Sequence, residues 1–206
     1  MSLRWTLMAP VYDRFTHKTE ERGVRELRQA LLSDATGRVL EIGGGTGLNL
    51  PFYDGAESLV VTEPEPAMLR RLQAKAREQA HQAEVVQAPA EDLPFEDASF
   101  DVVVSTLVLC GADQRRSLGE LRRVLRPGGR LLFLEHVRSE DPDLARFQDR
   151  MNWLNRLVVG CNCNRQTLGA IEAAGFTVSN VEHTTTPKAP KFVQPLIVGT
   201  ARCSLA

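Results

Sequence analysis

A glycine cluster followed about 20 residues later by an acid has the residue types and the spacing needed to hold a nucleoside. Segment 38–47 reads RVLEIGGGTG, so an apolar run of strand formers stops in glycines. Glycine adopts positive φ without strain and lets a ligand approach the backbone closely. Glu63 ends the next apolar run, where a carboxylate accepts hydrogen bonds from both hydroxyl groups of a ribose. The pattern predicts a ligand with a free ribose.

The spacing of the glycines separates this site from dinucleotide and phosphate sites. The strand ends as Glu-x-Gly-x-Gly-x-Gly at Glu41, Gly43, Gly45 and Gly47, whereas dinucleotide folds place Gly-x-Gly-x-x-Gly beneath a pyrophosphate. No Gly-Lys-Ser/Thr follows, so the sequence also lacks a Walker loop. These features argue against a nicotinamide dehydrogenase. They favour a nucleoside without a phosphate tail, and S-adenosylmethionine fits because loop amides can bind its carboxylate.

Composition limits the function classes. The 206 residues suffice for one domain with a sizeable core, and 25 Lys plus Arg against 26 Asp plus Glu give no indication of a nucleic-acid surface. The four cysteines lack the spacing of a disulfide framework or a zinc site, so we expect reduced thiols, no metal and a cytoplasmic location. No signal sequence or membrane span of ~18 apolar residues is found, so we expect a soluble chain. The oligomeric state is left open.

Alternating helix and strand periods predict an α/β fold. Strand–helix–strand units form right-handed crossovers, which give a parallel sheet with helices on both faces and a ligand at the carboxyl ends of its strands. The predicted strands of this half are 39–42, 59–62, 85–86, 100–109 and 131–134, and the predicted helices are 19–32, 67–82 and 113–125.

Beyond residue 141 the pattern changes. Pro142 can begin a helix, which we expect to cover the top of the sheet. Helix 166–174 and strands 176–181 and 192–200 follow, and their link is too short for a crossover helix, so the last two strands should be antiparallel. The apolar residues of the covering helix recur every three or four positions, at Leu144, Phe147, Met151, Leu154 and Leu157.

Five short segments, in this order and spacing, resemble the class I S-adenosylmethionine-dependent methyltransferases of the UbiE-like, methyltransferase domain 11 type. The resemblance over about residues 36–137 implies a Rossmann-like sheet of seven strands, mostly parallel with the last strand antiparallel. The segments are VLEIGGGTG at 39–47, TEP at 62–64, AEDLPF at 90–95, SFDVVV at 99–104 and RVLRPGG at 123–129.

Chain length and this resemblance together lead us to expect a single methyltransferase domain over residues 1–206. Residues 1–35 would form an N-terminal lid or helix, 36–137 the cofactor-binding core, and 138–206 the substrate cover and closing hairpin. S-adenosyl-L-methionine would be the cofactor, S-adenosyl-L-homocysteine the product, and a small molecule the methyl acceptor.

A narrower resemblance concerns the acceptor. STLVLC at 105–110, LEHV at 134–137, GCN at 160–162 with Arg165, and a closing Pro-Lys and Val-Gly-Thr-Ala are similar to the methyltransferase-like thiol methyltransferases, which methylate small lipophilic thiols. The sequence departs from that group in lacking its N-terminal hydrophobic anchor. Because the group methylates thiols, a thiol is the leading acceptor. A quinone-ring carbon or a phospholipid amine is the alternative, and a non-catalytic S-adenosylmethionine-binding protein is the alternative of another class.

The superfamily match implies roles for individual residues. Glu63 would bind the ribose, and Pro64 and Met68 would pack on the adenine face, with ordinary helix core as the other reading of Met68. Glu41 would orient the loop, because a carboxylate at a strand end faces backbone amides. The methionine end would be held by Gly43, Gly45, Thr46 and Gly47.

The sequence departs from many superfamily members at Pro89, where they have an aspartate that holds the adenine amino group. Proline has neither a carboxylate nor an N–H. Recognition of adenine would pass to the Ala90 amide and to Glu91 or Asp92. The cofactor residues so implied are Glu41, Gly43, Gly45, Thr46, Gly47, Glu63, Pro64, Met68, Ala90, Glu91 and Thr106.

Methyl transfer from a sulfonium is an in-line displacement, so alignment and exclusion of water can supply most of the rate without an obligatory acid or base. A thiol acceptor has a pKa near ~8.5, and a nearby base would help modestly. His136, after strand 131–134, is the best-placed candidate base. The alternative is a structural histidine at a strand end.

Three residues are expected to shape the acceptor pocket. Cys110 ends strand 100–109, and we favour a lining role for it because a cysteine nucleophile would itself be methylated. Cys161 and Asn162 lie in the loop after the covering helix. Tyr12 is the fourth predicted pocket residue, and with Trp5 and Phe15 it forms an aromatic segment that either closes over the cofactor or packs on the sheet edge.

Overall fold

The computed structural model describes residues 9–10, 12–79, 82–186 and 188–203, with the side chains of residues 15 and 18 excepted. Within these ranges seven strands form one sheet in the order β3-β2-β1-β4-β5-β7-β6. Strands β1 to β5 are parallel, and β7 is antiparallel to both neighbours. The strands are β1 (Gly37–Ile42), β2 (Ala56–Thr62), β3 (Ala83–Val86), β4 (Phe100–Thr106), β5 (Leu125–His136), β6 (Phe176–Thr185) and β7 (Pro195–Cys203). The predicted seven-stranded, mostly parallel sheet is confirmed.

The helices follow the predicted order, with one difference at the N-terminal side. The predicted helix 19–32 is divided, because Gly23 has φ 134° and interrupts the helical backbone within a π-helical turn, Glu20–Val24. The helices are α1 (Tyr12–Thr19), α2 (Arg25–Leu32), α3 (Pro66–Glu78), α4 (Gln114–Val124), α5 (Pro142–Val159) and α6 (Thr167–Ala173), with 3₁₀ turns at Leu50–Phe52 and Lys191–Val193.

Two apolar cores lie on opposite faces of the sheet. Because strand side chains alternate, Val39 enters the core with Leu32 of α2, while Leu40 enters the core with Leu118 of α4. All four side chains are essentially excluded from solvent. Burial of a leucine side chain contributes about 1.5–3 kcal/mol, so these contacts fix the sheet between two helical layers. The predicted helices on both faces are confirmed.

Helix α5 begins at Pro142 as predicted, but the expectation about its buried face was wrong. Its buried residues include Gln148 and Asn155, while Phe147 and Leu157 are exposed. The cause is hydrogen bonding, since the Gln148 side chain donates to three backbone carbonyls at 2.6–3.1 Å. Polar side chains of α5 therefore hold neighbouring segments, and several of its apolar side chains point outward. Among the described helices, none has the length and apolarity to cross a bilayer.

Candidate active site

The glycine loop follows β1 at the carboxyl edge of the sheet. Gly43, Gly45 and Gly47 have φ of 59°, 57° and 81°, a conformation that strains residues with a Cβ atom. Gly44 lies against the sheet, since an added Cβ would come within 2.3 Å of Cγ1 of Val61. A Cβ on Gly45 would meet nothing closer than 4.0 Å. The tip of the loop therefore presents bare backbone to open space.

Glu63, directly after β2, reaches back to this loop. Its Oε2 atom accepts a hydrogen bond from the amide of Gly45 at 2.8 Å, and its Oε1 atom accepts one from the amide of Glu65 at 2.9 Å. Burial raises the pKa of Glu63. Each carboxylate oxygen keeps a second lone pair, so the group can accept two further hydrogen bonds. Pro64, which follows, is exposed.

Glu41 does not face backbone amides, which corrects our expectation. Its buried carboxylate accepts hydrogen bonds at 2.8 Å from Nδ2 of Asn49 and from the hydroxyl group of Tyr53. These side chains reach Glu41 because the 3₁₀ turn Leu50–Phe52 returns the chain towards β1 after the loop. Burial raises the pKa of Glu41 to about 7. Glu41 thus fixes the segment that follows the loop, through side chains.

Thr106 belongs to the same buried network. Its hydroxyl oxygen accepts hydrogen bonds from Asn49 at 2.9 Å and from the guanidinium of Arg28 at 3.0 Å. Arg28 also pairs with Glu20 at 3.1 Å, and its side chain is 5% exposed. Both lone pairs of the Thr106 hydroxyl are used, so it can only donate to a ligand. Arg28 and Asn49 were not among the predicted site residues, because arginine on a surface helix normally indicates exposure.

Helix α1 lies over the glycine loop. The Thr46 hydroxyl donates to Oδ1 of Asp13, and Tyr12 packs on a small apolar cluster that includes Met68. Burial raises the pKa of Tyr12 to about 12, and Cys110 is among the groups that influence it. Tyr12 therefore lies on the Met68 side of the crevice. Two other predicted lid groups fall outside the described part of the chain: Trp5 and the Phe15 side chain.

Segment 90–95, which begins with the residues predicted to contact adenine, is held by α4. Arg123 donates to two of its backbone carbonyls, at 2.9 and 2.7 Å. Ala90 is buried. The Glu91 carboxylate accepts a hydrogen bond from the amide of Asp113 at 2.8 Å, just before α4 begins. Glu91 is therefore fixed to the start of α4. Its remaining lone pairs can accept hydrogen bonds from a ligand.

Glu135, on β5, organises the loop after β4 and was not among the predicted site residues. Its fully buried carboxylate accepts hydrogen bonds from the Ser105 hydroxyl at 2.7 Å and from the amides of residues 108–110 at 3.0–3.2 Å. The loop begins at Leu107, which is held at φ 61°. Burial raises the pKa of Glu135. The sequence does contain a signal for this role, an acid inside an apolar strand, because a buried carboxylate requires hydrogen-bond donors around it.

Cys110 meets Cys161 at the end of this loop. The hydrogen bond between the two thiols, together with burial, raises the pKa of Cys110 well above its usual value. The backbone amide and the side chain of Asn162 both donate to the Cys110 carbonyl, at 2.9 and 3.2 Å. Three of the four predicted pocket residues therefore come together. A buried, protonated thiol is a poor nucleophile, in agreement with a lining role for Cys110.

His136 ends β5, and its ring lies beside the backbone of Val193 and Pro195. Burial lowers the pKa of His136 to about 4, so the imidazole is neutral at physiological pH. Its Nδ1 atom is buried without a hydrogen-bond partner among the described residues. The role of His136 as a base stays a prediction.

Comparison with known proteins gives a consistent result. The family model of a methyltransferase domain matches residues 40–133. Human thiol S-methyltransferase TMT1B is 36% identical over 206 residues, which cover 95% of this chain and 84% of the relative. Phosphatidylethanolamine N-methyltransferase of Cereibacter sphaeroides is 33% identical over 160 residues, with 73% and 76% covered. A solved Thermotoga maritima structure, a possible histamine N-methyltransferase, is 20% identical with a TM-score of 0.72, and 98% of each chain is covered.

Proposed function

Since this chain belongs to the class I S-adenosylmethionine-dependent methyltransferases and is such an enzyme, we propose that its methyl acceptor is a small lipophilic thiol. The observation that carries this proposal is the 36% identity to a thiol S-methyltransferase over nearly the whole chain, beyond the cofactor-binding motifs. Burial also raises the pKa of two residues predicted to line the acceptor end, Tyr12 and Cys110, which keeps both uncharged, and the nearby acid Glu135 already accepts four hydrogen bonds. Such a lining suits a neutral, apolar acceptor.

The donors and acceptors along the crevice suit S-adenosylmethionine. The methionine end would lie against the bare backbone at Gly45, where the loop tip is open. Glu63 has two lone pairs left for the ribose hydroxyls. Met68, beneath Tyr12, would pack on the adenine ring, and segment 90–95 would supply the hydrogen bonds to its edge.

The cofactor supplies an activated methyl group, and this chain supplies alignment. The acceptor sulfur would form its bond to the methyl carbon as the sulfonium bond breaks, giving a thioether and S-adenosylhomocysteine, with the thiol proton released. Glu135 and Asn162 fix the loop that carries Cys110, and Tyr12 with α1 would cover the crevice. Fixed geometry and exclusion of water can supply a large part of such a rate.

A phospholipid amine is the second candidate acceptor. The observation that favours it is the 33% identity to a phosphatidylethanolamine N-methyltransferase over most of this chain. An ammonium group must lose a proton before it can attack, and a free carboxylate at the acceptor end would assist. Glu135 is buried and already accepts four hydrogen bonds, so it is poorly placed to take a proton from the ammonium group.

A panel of acceptors tests the proposal. The purified chain would be incubated with S-adenosylmethionine and, separately, with an alkyl thiol, an aromatic thiol, a quinol and phosphatidylethanolamine vesicles, and release of S-adenosylhomocysteine would be measured. We expect release with the thiols, faster as their apolar part grows. Turnover of the quinol or the amine without turnover of any thiol would transfer the assignment to that acceptor. Titration with S-adenosylhomocysteine alone separates an inactive binder from a misfolded preparation.

A further inference from the structure

Helix α5 has an apolar face that points to solvent. Trp153 is 66% exposed and Leu157 67%, and Val158 and Phe147 are 49% and 43% exposed. Within the described ranges, these four are the exposed large hydrophobic side chains, and all lie on this one helix of 18 residues. An ordinary surface helix buries its apolar face and exposes its polar one. Here two polar side chains are buried while these four apolar ones are exposed, and an exposed apolar patch of this kind marks an interaction site.

The inner face of the helix explains why the apolar side chains cannot simply turn inward. Asn155 donates to the carbonyl of Cys161 at 2.8 Å, and Asn152 donates to Oδ1 of Asn162 at 3.1 Å. Rotating the helix would break these bonds and leave buried polar groups without partners, which is costly. The outward direction of Trp153 is therefore built into the fold.

The charges near this face are positive. The carboxyl-terminal half of α5, residues 150–159, contains Arg150 and Arg156 and no acid. Arg156 also lines a surface cleft of about 590 Å³ together with Arg115 and Arg165. In the amino-terminal half, by contrast, the two acids Asp143 and Asp149 are each paired with an arginine. The half of the helix that carries Trp153 and Leu157 is thus apolar and cationic.

We propose that the outer face of α5 binds the surface of an anionic lipid bilayer. A helix with tryptophan and aliphatic residues next to arginines lies in the interface plane, with the apolar groups below the headgroups and the guanidinium groups at the level of the phosphates. The helix is about 27 Å long at 1.5 Å per residue, which suits a flat surface. The cleft at its end is lined by three arginines and one acid, Asp113, so its excess positive charge is complementary to anionic headgroups.

A second copy of this chain fits the face less well. A two-fold interface places the same residues on both sides, so the cationic half of one α5 would face its own copy. The like charges of Arg150 and Arg156 would then be brought together while water is removed. A bilayer with anionic lipids brings the opposite charge to the same surface.

Docking in this way places the acceptor end of the crevice next to the lipid. The inner face of α5 holds the loop with Cys161 and Asn162, and that loop holds Cys110. A lipophilic acceptor dissolved in the bilayer would have a short path to the crevice. The docking itself does not depend on which acceptor is methylated.

Vesicle binding tests the proposal. The full chain would be mixed with sucrose-loaded vesicles of phosphatidylcholine alone or with phosphatidylglycerol, and the bound fraction would be measured after sedimentation. We expect binding to the anionic vesicles that decreases with added salt. In a Trp5→Phe background, Trp153 fluorescence should shift to shorter wavelength on binding. No binding to anionic vesicles, or binding without a response of Trp153, would overturn the proposal.

Variants separate the two contributions. Trp153→Ser with Leu157→Ser should lower the partition coefficient on anionic vesicles at least about tenfold. Arg150→Glu with Arg156→Glu should remove the preference for anionic lipid. The matched control is Arg70→Glu with Arg71→Glu, which makes the same charge change at exposed positions on α3 and should leave binding within about twofold.

Two further outcomes would contradict the proposal. If the control pair reduces binding as much as the α5 arginine pair, the effect is general charge and the proposal is wrong. If Trp153→Ser with Leu157→Ser changes the sedimentation-equilibrium mass in the absence of lipid, the face is an interface between copies, which also contradicts it. Titration with S-adenosylhomocysteine shows that each variant is folded, whatever the acceptor.

Discussion

Glu63 and Gly45 are joined across the crevice by a hydrogen bond of 2.8 Å from the loop amide to the carboxylate. The acid predicted to bind the ribose therefore also fixes the loop predicted to bind the methionine end. Because one carboxylate has both roles, replacing Glu63 should weaken the binding of the whole cofactor. A ligand that lacks the ribose hydroxyl groups should show whether Glu63 contacts the ribose directly.

Glu63→Gln should weaken the binding of S-adenosylhomocysteine about 10- to 100-fold, since hydrogen bonds to a charged group contribute about 1.5–3 kcal/mol. Isothermal titration would measure it. Wild type should bind a 2′,3′-dideoxyribose analogue more weakly than S-adenosylhomocysteine, and the variant should discriminate much less. Glu57→Gln, the same change at an exposed position at the start of β2, is the control. Equal discrimination by wild type and variant would remove Glu63 from the ribose site.

Glu135→Gln should lower the free energy of unfolding by about 1–3 kcal/mol, because its oxygen can replace Oε1 but its NH2 group would oppose the backbone N–H of Cys110. It should also raise the KM for the acceptor more than the Kd for S-adenosylhomocysteine, since the loop carries Cys110. Denaturant unfolding and steady-state kinetics would measure both. Ser105→Ala, which removes a single donor, should have a smaller effect. An unchanged KM would mean that Glu135 has no part in placing the acceptor.

The buried Glu41 predicts a pH-dependent stability. The folded protein takes up a proton on Glu41 near pH 7, whereas the unfolded chain does so near 4.5. The resulting stabilisation is complete below about pH 4.5 and is lost as the pH rises through 7. Glu41→Gln stays neutral, so its stability relative to wild type should rise by up to about 3 kcal/mol between pH 5 and pH 8. Urea unfolding at both pH values measures this. Other titrating groups cancel in the comparison, and a constant difference would contradict the burial argument.

The base role of His136 can be tested by a pH profile. With a pKa of about 4, the imidazole does not change charge between pH 6 and 8, so thiol methylation should show no inflection from it there. The rate should instead rise with the ionisation of the acceptor thiol. His136→Gln should keep that rise and lower kcat/KM by less than about tenfold, below the 10²- to 10⁴-fold typical of general base catalysis. A larger loss together with a flattened profile would establish His136 as the base.

The sequence was sufficient for the sheet because each buried strand is a short run of β-branched and aliphatic residues between turn signals. β4 is an example, with three successive valines, Val102 to Val104, buried on both faces. The antiparallel pairing of β6 and β7 was predictable because the link between them is too short for a crossover helix. The break at Gly23 was not, because a glycine inside a helical period can be either tolerated or disruptive.

The buried polar groups were harder to predict. Glu41 and Arg28 obtain their partners from residues distant in sequence, and periodicity contains no information about side-chain hydrogen bonds across elements. For the same reason the buried face of α5 was predicted wrongly. Apolar periodicity identified the helix, but Gln148 and Asn155 decide which side faces the protein.

The most direct test follows the methyl group itself. S-adenosylmethionine with a trideuterated methyl group would be incubated with the purified chain and a lipophilic alkyl thiol, and the products would be analysed by mass spectrometry. Our account predicts a thioether that carries the intact trideuteromethyl group, formed in equal amount with S-adenosylhomocysteine and strongly reduced in Glu63→Gln at low cofactor concentration. Absence of the labelled thioether from a preparation that binds S-adenosylhomocysteine would contradict the thiol assignment.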